Sequence, residues 1–375
     1  HSMIKRDKIK KKLLFTIILV FCFFILGSIS EYKLNTIKKI QYNRNAKIWF
    51  KPLPEFPSQF NNKFGLNQQA LEDIPLSEVD KSVWRKNVRK RIHKDLKGDL
   101  FPNQHVHYEV LSSEDKLEIT EQEILITSFD GQLIPARVFL PLSPKKLLPA
   151  ILLVPGHSGA QSGMLQLADE TNSYQHAAAR KLALSGFITI AFELRGFGYL
   201  GMPHYPDHDI WAYNALRKGE SFKGLILKDT ASVISILKNH PFVDPNRIGI
   251  SGVSYGGEVA VQYAALDEGI KAVSFHSYAG SIGVPVGLDS SSALPHLCHI
   301  LPGIDSWMSQ EDWMWLLAPR KVHGVRGKYD QKDILENQSL YSKGWGDKTR
   351  IKIEIKEGGH EYYIDSSISF FKSVL

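Results

Sequence analysis

Polar and apolar positions change their period several times along this chain, and each change predicts a different kind of element. From Ser77 to about Leu96, Trp84, Val88, Ile92 and Leu96 recur every four residues, behind a Ser77-Glu78-Val79-Asp80 segment that resembles a capping box. That spacing puts one apolar stripe on a helix, and Gly98 ends it. Leu117–Ile126 and Gln132–Leu140 then flank Asp130-Gly131, a hairpin signal, and Pro141 closes the second strand.

Beyond Pro141 short apolar runs alternate with helical stretches. The expected strands are Ala150–Val154, Phe187–Phe192, Ile248–Ser251, Ala272–His276, Lys321–Val325 and Ile351–Ile355. The expected helices are Ala177–Ser185, Leu225–Asn239 and Gly256–Ala265. An antiparallel opening followed by repeated β-α units predicts an α/β fold with a mostly parallel central sheet and helices on both faces. The expected organisation is a leader at 1–30, a linker and helical extension at 31–115, and a catalytic domain at 116–375.

The leader is one more pattern. Leu13–Gly27 is an uncharged apolar run behind a basic head of Lys5, Arg6, Lys8, Lys10, Lys11 and Lys12, with only Asp7 opposing them. A signal peptide carries an apolar core of roughly 7 to 15 residues, whereas a spanning helix needs about 20. Cleaved signal and uncleaved anchor through residues 13–29 both stay open. Either one places the remainder on the far side of a membrane, exported and either tethered or released. This head holds five of the seven net positive charges. The body is nearly neutral and shows no basic stripe interleaved with aromatics, which argues against a nucleic-acid partner. The two cysteines, Cys22 and Cys298, offer the body no internal disulfide, and Cys298 reads as a small buried hydrophobe.

Candidate chemistry centres on Arg247–Gly257, a strand running into Gly252-Val253-Ser254-Tyr255-Gly256 and then a helix. Gly-x-Ser-x-Gly at a strand-to-helix turn is a nucleophile elbow, with Ser254 as nucleophile. A serine hydroxyl needs a base, and the base needs an orienting acid. His360, in the Gly358-Gly359-His360 turn after the last strand, is the candidate base; His296, His299 and His323 are read as structural. Asp330, just past Lys321–Val325, is the candidate acid and is better placed than Asp333. The oxyanion requires two backbone donors. Tyr255 supplies one, and the turn Val154-Pro155-Gly156-His157-Ser158 supplies the other through His157 or Ser158. A supporting hydrogen bond is the expected role of the His157 side chain.

With those residues in place, the chain from about Trp84 onward resembles the α/β-hydrolase group of acetyl xylan esterases and cephalosporin-C deacetylase-like proteins. The resemblance rests on Trp84-Arg85 to Leu96, Glu193–Gly198, Val243–Gly249, the serine motif, Pro295–Cys298 with Leu301–Gly303, Ala318–Arg320, and His360. It implies the α/β-hydrolase fold, a triad of Ser254, Asp330 and His360, and small acyl esters, acetyl on carbohydrate among them, as substrates. Two departures are Pro155-Gly156, where many relatives have His-Gly, and a longer, more basic turn before the acid. Peptidase or amidase activity, and a catalytically silent binding protein, are the competing readings. Triad chemistry calls for no cofactor. His204, Asp207, His208 and Asp209 lack a recognised metal-ligand spacing and are expected in a solvated loop. Trp307, Trp313 and Trp315, within Ser281–Leu317, fit a pocket wall and a packed core equally.

Overall fold

A computed structural model describes residues 78–375, apart from 97–99, 101–105, 117, 143, 145, 279–296, 305–306, 309, 331–343 and 346. The expected leader, the helix cap at Ser77, His296 and Asp333 lie outside the described residues. Among those described, no helix is long and apolar enough to cross a membrane.

Helix α1 (Glu78–Asp95) occupies the span its four-residue stripe predicts. Ile92 is buried, and Trp84 and Val88 pack against the core. The Arg89 guanidinium fastens this helix to the rest by donating to the Ala265 and Leu316 carbonyls at 2.7 Å each. Strands β1 (Tyr108–Lys116), β2 (Ile119–Thr127) and β3 (Leu133–Pro141) form an antiparallel meander. The sheet therefore begins ahead of residue 116. β1 was not anticipated, because it sits at the edge and its side chains are almost all exposed, so it carries no apolar alternation.

Next come β4 (Leu148–Val154), α2 (Gly163–Ala168), α3 (Ala178–Leu184), β5 (Ile188–Phe192), α4 (His208–Arg217) and α5 (Phe222–Asn239). The chain continues through β6 (Val243–Val253), α6 (Tyr255–Leu266), β7 (Ala272–His276), α7 (Gln310–Leu316), β8 (Lys321–Gly327), β9 (Ile351–Lys356) and α8 (Ile364–Val374). The described strands make a nine-stranded sheet in the order β1-β2-β3-β5-β4-β6-β7-β8-β9. β3 meets β5 antiparallel, and every pairing from β5 to β9 is parallel.

Strand alternation divides the interior into two apolar cores. Ala150, Leu152 and Val154 of β4 join Ile226, Val259 and Ile92, so α1, α5 and α6 cover one face. Ile151 and Leu153 join Ala179, Leu182 and Phe371, so α3 and α8 cover the other. Both faces of the central strands are thus apolar, which is why they read as unbroken runs and not as alternating ones. The C-terminal ends of β4 to β8 converge on one sheet edge, where open α/β sheets place their ligands.

Candidate active site

Ser254 joins β6 to α6 with φ 56° and ψ −124°. A side chain in that region costs on the order of 1–3 kcal/mol and persists only where its surroundings enforce it. Here they do. The Ser254 amide donates to the His276 carbonyl at 2.8 Å, while its own carbonyl accepts from Gly257 at 2.9 Å. A Cβ on Gly252 would lie 2.2 Å from the Gly256 oxygen, and one on Gly256 would lie 2.1 Å from the Val154 oxygen. The strand, the helix and β4 can close around Ser254 only because both positions lack a side chain.

Asp330 and His360 come together. The two Asp330 carboxylate oxygens stand 3.1 and 3.2 Å from His360 Nδ1. With the carboxylate ionised, this assigns the imidazole proton to Nδ1 and leaves the Nε2 lone pair available as a base. The Asp330 side chain is 9% exposed and that of His360 is 49% exposed, so the carboxylate is buried behind an imidazole that opens to solvent. Backbone bonds set this up: the Tyr329 amide donates to the Gly358 carbonyl at 3.0 Å, and the Lys328 amide to the Lys356 carbonyl at 2.8 Å.

The end of β7 links the histidine turn to the serine. Ser277 Oγ donates to the Glu361 carbonyl at 2.9 Å and accepts from the Glu361 amide at 3.0 Å. The His276 ring stacks on Tyr362 with 4.0 Å between centroids, and its Nδ1 accepts from the Tyr363 amide at 3.2 Å. Burial keeps the His276 imidazole neutral by pushing its pKa well below the usual value. One residue, His276, therefore holds the Ser254 amide with its carbonyl and the chain beyond His360 with its ring. His323, two strands away from the elbow, is buried and hydrogen-bonded to Ser274 at 3.2 Å, which agrees with a structural role.

The turn after β4 abuts Ser254. A Cβ on Gly156 would come 3.2 Å from Ser254 Cβ, and the Gly156 amide donates to Gln175 Oε1 at 3.2 Å. The Tyr174 hydroxyl donates to the His157 carbonyl at 3.1 Å, and the Tyr174 carbonyl accepts from the Tyr362 amide at 2.8 Å. Tyr174 thereby couples the β4 turn to the histidine segment. The rings of His157 and Tyr255 stack at 4.8 Å, so the two residues whose amides were singled out lie against one another. Beside them a polar cleft of about 630 Å³ is lined by His157, Ser158, Gln161, Asp169, Asn172 and Tyr174, among others.

Behind Tyr255 a buried charge network braces α6. Lys223 Nζ lies 3.7 Å from the centre of the Tyr255 ring and 2.8 Å from Glu258 Oε1, while His299 Nδ1 is 2.5 Å from Glu258 Oε2. Burial alone would raise the Glu258 carboxyl, but Lys223 and His299 hold it down at about 2. Neither this network nor Ser277, Tyr174 and Gln175 has a sequence motif; each depends on contacts between segments far apart in the chain.

One expectation needs revision. The segment around His204–Asp209 is not merely a solvated loop. His204 is exposed, but Asp207 caps α4 by accepting from the Ile210 amide at 2.9 Å, and the His208 ring turns inward to stack on Phe197 at 4.6 Å. The balanced reading of the tryptophans resolves towards packing: Trp313 and Trp315 are buried, and Trp315 meets Trp84 edge-on at 6.2 Å. Trp307 lies under the Arg91 guanidinium at 3.8 Å, and its Nε1 donates to Asp95 Oδ2 at 3.1 Å. Cys298 is fully buried, as anticipated, and burial pushes its thiol up to about 12. It nevertheless has a polar neighbour, His157 Nε2, at 3.2 Å.

Comparisons with known proteins bear on this geometry. A Bacillus subtilis (strain 168) protein, provisionally named hydrolase YtaP, is 25% identical over 250 residues, covering 65% of this chain and 80% of its own. A crystal structure from Bacteroides fragilis NCTC 9343, provisionally described as an acetyl xylan esterase, superimposes with TM-score 0.65 at 18% identity, covering 80% of this chain and 83% of its own. Acetyl xylan esterase 1 from Thermoanaerobacterium sp. JW/SL YS485 gives TM-score 0.55 at 17% identity, over 82% of this chain and 98% of its own. These two structures share the fold. The acetyl xylan esterase (AXE1) family model matches residues 71–278, more than half of the chain, and the chain belongs to that family of serine carboxylic ester hydrolases.

Proposed function

We propose that the chain hydrolyses short acyl esters of small molecules or carbohydrates, acetyl esters foremost, through an acyl-enzyme on Ser254. His360 Nε2 takes the proton from Ser254 Oγ as the hydroxyl attacks the ester carbonyl. Asp330 holds the imidazole in the required tautomer and stabilises the imidazolium that forms. The amides of Tyr255 and His157 bind the oxyanion, His360 returns its proton to the departing alcohol, and water then repeats the sequence on the acyl-enzyme.

The observation that carries this reading is the 3.1 Å approach of Asp330 to His360 Nδ1, on a turn anchored to the same β7 end that holds Ser254 in its positive-φ conformation. Family membership supports ester over amide substrates. The polar cleft beside His157, with its amide, hydroxyl and carboxylate side chains, suits a hydroxyl-rich alcohol part better than a lipid. The leader's basic head and apolar run support action outside the cytoplasm, either tethered to a membrane or released.

The test is a profile of acyl esters of increasing chain length, acetylated xylo-oligosaccharide and aminoacyl amides, using wild type, Ser254→Ala and His360→Ala, alongside fluorophosphonate labelling. Turnover highest on acetyl esters, and both turnover and labelling lost in Ser254→Ala, are expected. Preference for the amides would replace the esterase reading with a peptidase one. Undiminished turnover in Ser254→Ala would remove the serine from the mechanism.

A further inference from the structure

His157, His208 and Cys298 come from three distant segments: the turn after β4, the first residue of α4, and the short turn Leu297–His299. Their donor atoms nevertheless all lie within 4.8 Å of one another. His157 Nε2 is 3.2 Å from Cys298 Sγ, and the His157 and His208 rings are 5.1 Å apart between centroids. From these contacts we infer a transition-metal site, of zinc(II) type, built from two imidazoles and one thiolate beside the β4 turn.

The donor set favours this class of ion. Two nitrogens and a sulfur suit zinc(II) and other borderline-to-soft cations, not magnesium or calcium, which take oxygen ligands. Zinc bonds of about 2.3 Å to sulfur and about 2.0 Å to nitrogen put tetrahedral ligand atoms roughly 3.3–3.6 Å apart. The His157–Cys298 pair already meets that spacing, and a modest rotation of the His208 ring would bring the third ligand in.

The surroundings also resemble a metal shell. Asp209 Oδ1 stands 3.2 Å from His208 Nδ1, a charge contact without hydrogen-bond alignment that places a carboxylate beside the second imidazole. The rings of Phe197 and Tyr255 pack around His157 at 5.2 and 4.8 Å and wall the cluster with apolar surface. His157 also lines the polar cleft, which offers a route of entry. On binding, the Cys298 thiol gives its proton to solvent and becomes the anionic ligand.

His208 belongs to the segment whose local spacing carries no metal motif. The site is compatible with that, because its other two ligands are supplied by the fold and not by neighbouring residues. Bound there, the ion would tie the β4 turn to α4 and to the Leu297–His299 turn, bracing the proposed oxyanion loop through the His157 side chain. The site does not depend on the triad assignment.

The experiment uses the full chain, stripped with a chelator and then loaded with zinc(II), or with cobalt(II) as a spectroscopic probe. Elemental analysis after gel filtration, absorption spectra and melting curves are the readouts. Wild type and Ser254→Ala should each retain one ion per chain, show a thiolate-to-cobalt charge-transfer band, and melt at higher temperature with zinc. Cys298→Ser should lose the band and the thermal shift, and His208→Gln should lose stoichiometric retention. Wild type that retains no ion, or a band that persists in Cys298→Ser and so arises from Cys22, would overturn the site and leave a thiol–imidazole contact only. If Cys298→Ser does not fold, His208→Gln, altered at a partly exposed helix start, decides between the same outcomes.

Discussion

At Gly256 one methyl group is enough to close the elbow. Its Cβ would fall 2.1 Å from the Val154 carbonyl oxygen and 2.6 Å from that of Pro155, and both are backbone atoms that cannot swing aside. Gly256→Ala is expected to cost about 4 kcal/mol or more, the range reached only by disrupting a packed centre. Gly359, where a Cβ would meet nothing within 4 Å, should accept alanine within about 1 kcal/mol. Urea unfolding of both variants measures the contrast, and equal losses would refute the steric argument. At Asp330 the question is tautomer, not space. Asp330→Asn presents an amide to His360 Nδ1 and favours the wrong ring proton, so kcat should drop about 10⁴-fold with KM little changed. A loss under tenfold would point to another acid. The Ser254 elbow and the turn at His360 were legible because glycines mark both, and the approach of Asp330 to His360 because Asp330 follows a strand. Ser277 and Tyr174 were not, since a serine or tyrosine in a loop has no local signature and acquires its role only from partners 84 and 17 positions away.

Among the elements, legibility followed burial. β4, β5, β7 and α6 are enclosed on every side and read as apolar runs, whereas β1 lies exposed at the sheet edge and gives no alternation to read. α4 escaped notice because few of its residues are buried and its cap, Asp207, sits in a His-Asp cluster that looks like loop. The turn carrying His360 is tied to several segments, and two of its bonds belong to Ser277. Ser277→Ala should slow ester turnover about tenfold, the equivalent of roughly 1.4 kcal/mol, while melting temperature moves little. A kcat equal to wild type would show that the clamp is dispensable.

β8 supplies a pH dependence of its own. Burial lowers the His323 imidazole from 6.5 to about 4, with Glu354 pulling the other way. The unfolded chain therefore takes up a proton near pH 6.5 that the folded chain resists until about pH 4. The stability contributed by neutral His323 is complete above 6.5 and is lost as pH falls through that window. Measured against the non-titrating His323→Gln, wild type should lose about 3 kcal/mol between pH 7 and pH 4. Parallel unfolding curves for the two proteins would count against it. Glu193 works in the opposite sense: burial raises its carboxyl from 4.5 to about 7, so its contribution falls as pH rises. The comparison with a variant isolates His323, which the wild-type curve alone would not.

Over the whole molecule, the antiparallel meander and the parallel layer are joined not only by β3 against β5 but by one buried cation. Arg195 follows β5 and is 1% exposed. It reaches Asp130 in the β2–β3 turn with two bonds of 2.6 Å, and Asp229 inside α5 at 2.5 and 2.7 Å. Asp130 is the residue whose Asp-Gly pair marked the hairpin; nothing in that pair disclosed a second use as an anchor for a distant arginine. Asp229 is fully buried, and burial raises its carboxyl despite the guanidinium and the Ser128 hydroxyl beside it. Arg195→Met would leave that carboxylate without its counter-charge, at an expected cost of about 3–5 kcal/mol. Desolvation, not attraction, then sets the balance: in Arg195→Met/Asp229→Leu the fully buried carboxylate is gone and only the part-exposed Asp130 loses its partner, so much of the loss should return even though every bond of Arg195 is gone. The double variant unfolding as readily as the single one would mean that the cation stabilises the junction outright. Recovery would mean that apolar packing between α5 and the sheet holds the two parts together, with Arg195 selecting how the meander docks.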